Sequence, residues 1–271
     1  VDEKEVVSVA DTPMRRVAVV TGGAGGLAAD IASNLARDSF GVALLDLNGE
    51  GLELTCKVLR GAVPGVDVIA VTSDLSDEAA VEEAFGRVED HFGRVDVLVN
   101  TAGGSGTESA PTLEDISADL WNRVLSFNVT SAFLCARYAV PLMRRNGFGR
   151  IVNFSSLVAN GISGPSGTVG ARLAYATSKA AINGFTKQLS KDLGGTGITV
   201  NAVSPGLIIP SEGRVRRSFE SLSPEAQAAT TAAIPMGRTG TGEEIAAAVS
   251  YLVSDAAGFT SGAILNVDGA A

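Results

Sequence analysis

Apolar residues gather in short β-branched runs, "RVAVVT", "GVALLD", "DVIAVTSD", "VDVLVN", "GRIVNFSS", "GITVNAVS" and "GAILNVDG". Between them lie longer stretches of helical period, among them Gly25 to Asp38, Asp77 to Phe92, Ala118 to Arg145 and Ala174 to Leu193. Strand and helix alternating in this way, with strands apolar on both faces, predict a parallel sheet covered by helices on both sides. Seven strands in one rhythm, without linker or repeat, predict a single α/β domain over 15–271 after an N-terminal extension, 1–14. The rhythm breaks only at Ile209 to Arg238, which is polar and rich in Ala, Ser and Thr.

Composition narrows the classes of function. With 45% hydrophobic residues and a mean hydropathy of +0.25, the chain has material for a full core. No apolar run is long enough to span a bilayer, and the acidic start lacks the apolar stretch of a signal peptide. The expectation is a cytoplasmic protein. A net charge of −9 argues against nucleic acid as partner, since such binders present a basic face. Only Arg214, Arg216 and Arg217 approach a basic patch. Cys56 and Cys135 lie in apolar helix-like segments and read as core thiols. The single histidine, His91, sits at a helix end, so neither a metal cluster nor a Ser-His-Asp triad is expected.

In an open parallel sheet, chemistry belongs at the carboxyl ends of the strands, near the point where strand order reverses. The first run leads into "TGGAGGLAADIA", a glycine-dense turn entering a helix, with Gly22, Gly25, Gly26 and Leu27 placed to let backbone N–H groups approach a pyrophosphate. Asp46, twenty residues past Gly26, ends the next run and is followed by Leu47. A carboxylate there can accept from both hydroxyls of an adenosine ribose and repel a 2′-phosphate, which favours NAD over NADP. The alternative is a cap on the helix beginning near Gly49. Further on, "RLAYATSKAA" spaces Tyr175 and Lys179 one helical turn apart, so that a cation sits beside a phenol and should lower its pKa.

Together these segments make the chain resemble the classical short-chain dehydrogenase/reductase family from about Arg15 to Gly269. The family's glycine motif maps onto Thr21, Gly22 and Gly26, with Ala28 for its last glycine. Asp74 and Leu75 match its Asp-Val/Leu beside the adenine. Asn100, Ala102 and Gly103 match its Asn-Asn-Ala-Gly, Thr101 replacing the second Asn. Asn128, Ser156, Tyr175 and Lys179 match the catalytic set, and Pro205 with Gly206 the Pro-Gly turn, near which Ile208 joins the cofactor-binding residues. The resemblance implies a Rossmann-type doubly wound sheet, NAD as cofactor, a small alcohol or ketone as substrate and a homotetramer. It implies that Tyr175 is the general acid or base, that Lys179 holds the nicotinamide ribose, that Ser156 holds the substrate oxygen and that Asn128 keeps a water near Lys179. Two alternatives stay open. In one, Asn128 satisfies a buried backbone group; in the other, Ser155 is the reactive hydroxyl.

The chain departs from the pattern in two places. Eighteen residues, 157–174, separate Ser156 from Tyr175, a long glycine-rich insertion read as a lip on the substrate pocket or a surface loop. Pro210 stands where the family often has a carboxamide-binding Thr; either Ser211 substitutes or that contact is lost. The segment 209–238 corresponds to the family's substrate lid, and its "RVRR" is either a clamp for an anionic substrate or a solvated helix face. Two rivals to an NAD-dependent alcohol dehydrogenase follow: an NADPH-dependent 3-oxoacyl-thioester reductase, and a non-catalytic NAD(H)-binding sensor or scaffold.

Overall fold

The computed structural model describes residues 15–106, 110, 112–162 and 172–271. The extension 1–14 and residues 163–171 of the 157–174 insertion lie outside them. In chain order the elements are β1 (Val17–Thr21), α1 (Gly26–Arg37), β2 (Gly41–Asp46), α2 (Gly49–Ala62), β3 (Val68–Thr72), α3 (Glu78–Phe92), β4 (Val97–Asn100), α4 (Ala118–Leu125), α5 (Ser131–Asn146), β5 (Gly149–Phe154), α6 (Arg172–Asp192), β6 (Ile198–Pro205), β7 (Ile208–Ile209), α7 (Arg214–Glu220), α8 (Pro224–Ala232), β8 (Gly240–Thr241), α9 (Gly242–Val253) and β9 (Ile264–Val267). Seven strands form one parallel sheet in the order β3-β2-β1-β4-β5-β6-β9, as the seven apolar runs predict. The pair β7 and β8 makes a small second sheet.

Parallel neighbours need a crossover, and helices supply it. Period-2 alternation then divides the core between the two faces of the sheet. Ala18, Val20, Val42 and Leu44 pack with Ile31 and Leu35 of α1, Leu52 and Leu59 of α2, and Ile245, Val249 and Leu252 of α9. Val19, Ala43, Leu45, Leu98 and Ile151 face the other way, onto Val81, Phe85 and Val88 of α3 and Leu134, Ala139 and Met143 of α5. Helices α1 and α9 lie side by side on the first face. Both cysteines are buried and free, and burial pushes the Cys135 thiol up to about 12, which leaves it inert.

The stretch predicted as one helix from Ala118 to Arg145 is interrupted. Between α4 and α5 the backbone makes a π turn over Ser126–Thr130. Such insertions collect at functional sites, and this one carries Asn128.

Strand order reverses between β1 and β4, whose neighbours run outward to β3 on one side and β9 on the other. The crevice for a ligand is therefore expected beyond the carboxyl ends of these two strands.

Candidate active site

A cavity of about 650 Å³ opens there. Its walls come from four successive strand ends: the glycine turn after β1 (Gly22, Gly25, Gly26, Leu27), Asp46 and Leu47 after β2, Ser73 to Ser76 after β3, and Thr101 to Gly104 after β4. The segment after β7 adds Pro210, Glu212, Arg214 and Val215. Ser73, Ser76, Gly104, Phe127, Ser131 and Val215 escaped the sequence reading, because only the folded loops bring them to this space.

The glycine turn is built for close approach. Gly22 has φ +68°, and a Cβ there would stand 3.1 Å from the Ala102 backbone. A Cβ on Gly26 would overlap the Glu212 carbonyl. Helix α1 starts from Gly25 with no side-chain cap and no acid in its first turn, so its first N–H groups and its dipole are left for an anion. Asp46 accepts from Ala24 N at 3.2 Å and from Asn48 N at 2.9 Å. The cap of α2 is Asn48, accepting from Gly51 N, which removes the helix-cap reading of Asp46. The Asp46 carboxylate instead ties the end of β2 to the glycine turn and faces the cavity. Asp74 accepts from Ser76 N and Oγ and fixes the turn after β3. Uncapped helix start, positive-φ glycine and terminal carboxylate in one cavity fit the diphosphate and adenosine ribose of a dinucleotide.

Behind the cavity, Asn128 is buried and its side chain is fully engaged. Its Nδ2 donates to Gly104 O at 2.9 Å and to Val124 O at 2.8 Å, and its Oδ1 accepts from Gly104 N at 3.1 Å. The carboxamide thus clamps the loop after β4, and a Cβ on Gly103 would overlap its Oδ1. This is the backbone-satisfying alternative rather than a side chain offered to water. Asn128→Ala should strand both backbone groups of Gly104 and cost about 2 kcal/mol or more. Thermal unfolding should show a Tm several degrees lower, and an unchanged Tm would mean that the loop holds itself.

Ser155 and Ser156 end β5 differently. Ser155 is buried, with its hydroxyl donating to Lys179 O at 3.4 Å. Ser156 caps a short 3-10 turn, its hydroxyl accepting from Val158 N at 3.4 Å. Lys179 is buried on the next turn of α6, with Nζ 5.5 Å from the centre of the Tyr175 ring. Its ammonium donates to Phe154 O at 2.8 Å. Burial brings its pKa down to about 8. The expected lowering of the phenol's pKa is not found. Burial raises it above its ordinary value of 10, and the Ser156 hydrogen bond opposes that rise. Lys179 directs its ammonium to the Phe154 carbonyl, and desolvation of the phenol prevails.

Other expected cofactor contacts are placed elsewhere. Asn100 is buried, its Nδ2 donating to Asn153 Oδ1 at 2.9 Å, and Asn153 in turn donates to Thr186. It joins β4, β5 and α6 instead of lining the cavity. Ile208 is buried in the first core face and packs toward Gly240. Gly206 sits against Asp268, donating its N–H to Val267 O, and Pro205 closes β6. Ser211 donates both N–H and Oγ to Asp30 of α1, so its hydroxyl is engaged there. Of the basic run, Arg216 is held by Pro210 O and Glu220, whereas Arg214 lines the cavity.

A family model described as "Enoyl-(Acyl carrier protein) reductase" matches residues 22–270. The chain belongs to the short-chain dehydrogenase/reductase family. Among its relatives is 2-dehydro-3-deoxy-L-rhamnonate dehydrogenase (NAD(+)) of Sphingomonas sp. (strain SKA58), 37% identical over 94% of each chain. Two solved short-chain enzymes superpose closely. One is an NAD+-bound xylitol dehydrogenase, with TM-score 0.83 and 32% identity over 95% of this chain and 99% of that one. The other is an actinorhodin polyketide ketoreductase with NADPH, with TM-score 0.82 and 33% identity over 94% of this chain and 96% of that one.

Proposed function

We propose that this short-chain enzyme interconverts a secondary alcohol and its ketone with NAD. The observation that carries the chemistry is the Tyr175 phenol with buried Lys179 one turn on, its Nζ 5.5 Å from the ring centre, and Ser156 near enough to pull the phenol's pKa down. NAD, when bound, supplies the hydride acceptor, and its reduced form the donor. Ser156 holds the substrate oxygen and stabilises charge developing on it. Tyr175 passes a proton between that oxygen and the phenol. The raised phenol pKa keeps the proton on Tyr175 at neutral pH, the form that carbonyl reduction needs. Lys179 anchors the ribose next to the nicotinamide from its place one turn on.

The preference for NAD rests on Asp46, whose carboxylate faces the ribose end of the cavity. The NAD-linked rhamnonate relative and the NAD+-bound xylitol dehydrogenase support it, and the NADPH-bearing ketoreductase marks the alternative within the same fold. Fluorescence titration with NADH and NADPH separately tests it. The wild type should bind NADH more tightly, and Asp46→Arg should shift the ratio toward NADPH by about tenfold or more, as expected for removing a repulsion and adding a charge-assisted contact. Preference of the wild type for NADPH would favour the thioester reductase. Binding of neither nucleotide would sink the dehydrogenase altogether.

A further inference from the structure

Resting on that reading and deepening it, we infer that Arg214, carried on the lid, is the counter-charge to the cofactor's diphosphate. The charged residues lining the cavity are Asp46, Asp74, Glu212 and Arg214. Three acids and one cation would repel a dianionic diphosphate unless the cation faces it. Asp46 and Asp74 accept from backbone N–H groups and from Ser76, so both stay as carboxylates on the wall. The Arg214 guanidinium, by contrast, makes no hydrogen bond or ion pair among the described residues, whereas its neighbour Arg216 is held by Pro210 O and Glu220.

The backbone fixes where this cation can reach. Arg214 follows Gly213, which has φ +101°, and a Cβ on Gly213 would stand 3.3 Å from Gly26 N. The base of the lid is therefore packed on the uncapped start of α1. It is tied there by the two hydrogen bonds from Ser211 to Asp30. A diphosphate seated at the glycine turn would share this cavity with the α1 N–H groups and with Arg214, and the planar guanidinium suits phosphate oxygens in pairs. A solvated arginine on a lid helix has no reason to line this cavity unpaired.

The test is isothermal titration of the wild type, Arg214→Ala and Arg214→Lys with ADP, adenosine, NADH and NADPH. Arg214 is exposed, so both variants should fold, and circular dichroism checks this. Arg214→Ala should weaken ADP and NADH alike by about tenfold, leave adenosine unchanged, and be partly restored by Arg214→Lys. Equal loss for adenosine would assign Arg214 to packing and overturn the inference. Unchanged ADP affinity would place the guanidinium in solvent, and loss confined to NADPH would assign it to a 2′-phosphate; either result also overturns it. Failure of the wild type itself to bind ADP and NADH would instead remove the dinucleotide reading, and Arg214's role with it.

Discussion

Tyr175→Phe is expected to lower turnover of a secondary alcohol by about 10²–10⁴-fold, the contribution of a positioned general acid or base, with NADH affinity unchanged. The ring is retained, so packing around α6 survives. What disappears is the hydroxyl to which the proposed reaction assigns the proton. A panel of secondary alcohols with NAD identifies a working substrate, and the variant is then compared on it. The pH profile has a definite sign. With its pKa raised above 10, the phenol is protonated at neutral pH, so oxidation, which needs the phenolate, should accelerate as pH rises, while reduction should hold until the phenol ionises. Substantial turnover surviving in the Phe variant would remove Tyr175 from the chemistry. Parallel loss of NADH binding would make its role structural.

Lys179→Met should abolish turnover yet stabilise the free protein. Folding takes the ammonium out of water, and burial lowers its pKa from 10.5 to about 8. The unfolded chain therefore holds the proton more tightly. Between about pH 8 and 10.5 the unfolded state binds more protons than the folded one, so stability rises with pH across that window. Below it the full cost of burying the charge applies. At pH 7 the Met variant should gain about 1–3 kcal/mol, from about 1.4 kcal/mol per pKa unit less the loss of a donor to Phe154 O. Thermal unfolding at pH 7 and pH 10 reads this out: a higher Tm for the variant at pH 7, and a smaller gap at pH 10. A lower Tm at pH 7 would mean that the bond to Phe154 outweighs desolvation. Function here is set against stability, as is common at active sites.

Much of the architecture could be read from the chain because period and turn chemistry are local. The apolar runs and the helix-length stretches between them predict the central sheet and its covering, and the glycine turn with Asp46 marks one wall of the cavity. What escaped is tertiary. The interruption at Ser126–Thr130 leaves the helical period almost intact, so only the folded backbone separates α4 from α5. Asn128 looks like a polar group available to solvent until Gly104 folds against it. Asn100 and Ile208 sit at strand ends, where cofactor contacts were expected, yet neighbouring strands and helices claim both side chains. The packing of Glu212 and Gly213 on Gly26 joins residues almost two hundred positions apart, and no local pattern encodes that contact.

The pairing of α1 with α9 bears on how the chain reaches its native state. Ile31 and Leu35 share one buried cluster with Ile245, Val249 and Leu252. The helix that presents the glycine turn is thus covered by a segment synthesised more than two hundred residues later. A nascent chain lacking α9 would hold β1 and α1 with their apolar surface open to water, and long-range closure of this kind is slow. Cofactor affinity should accordingly be one of the last properties to mature during synthesis, and partial chains ending before Gly242 should be aggregation-prone chaperone clients.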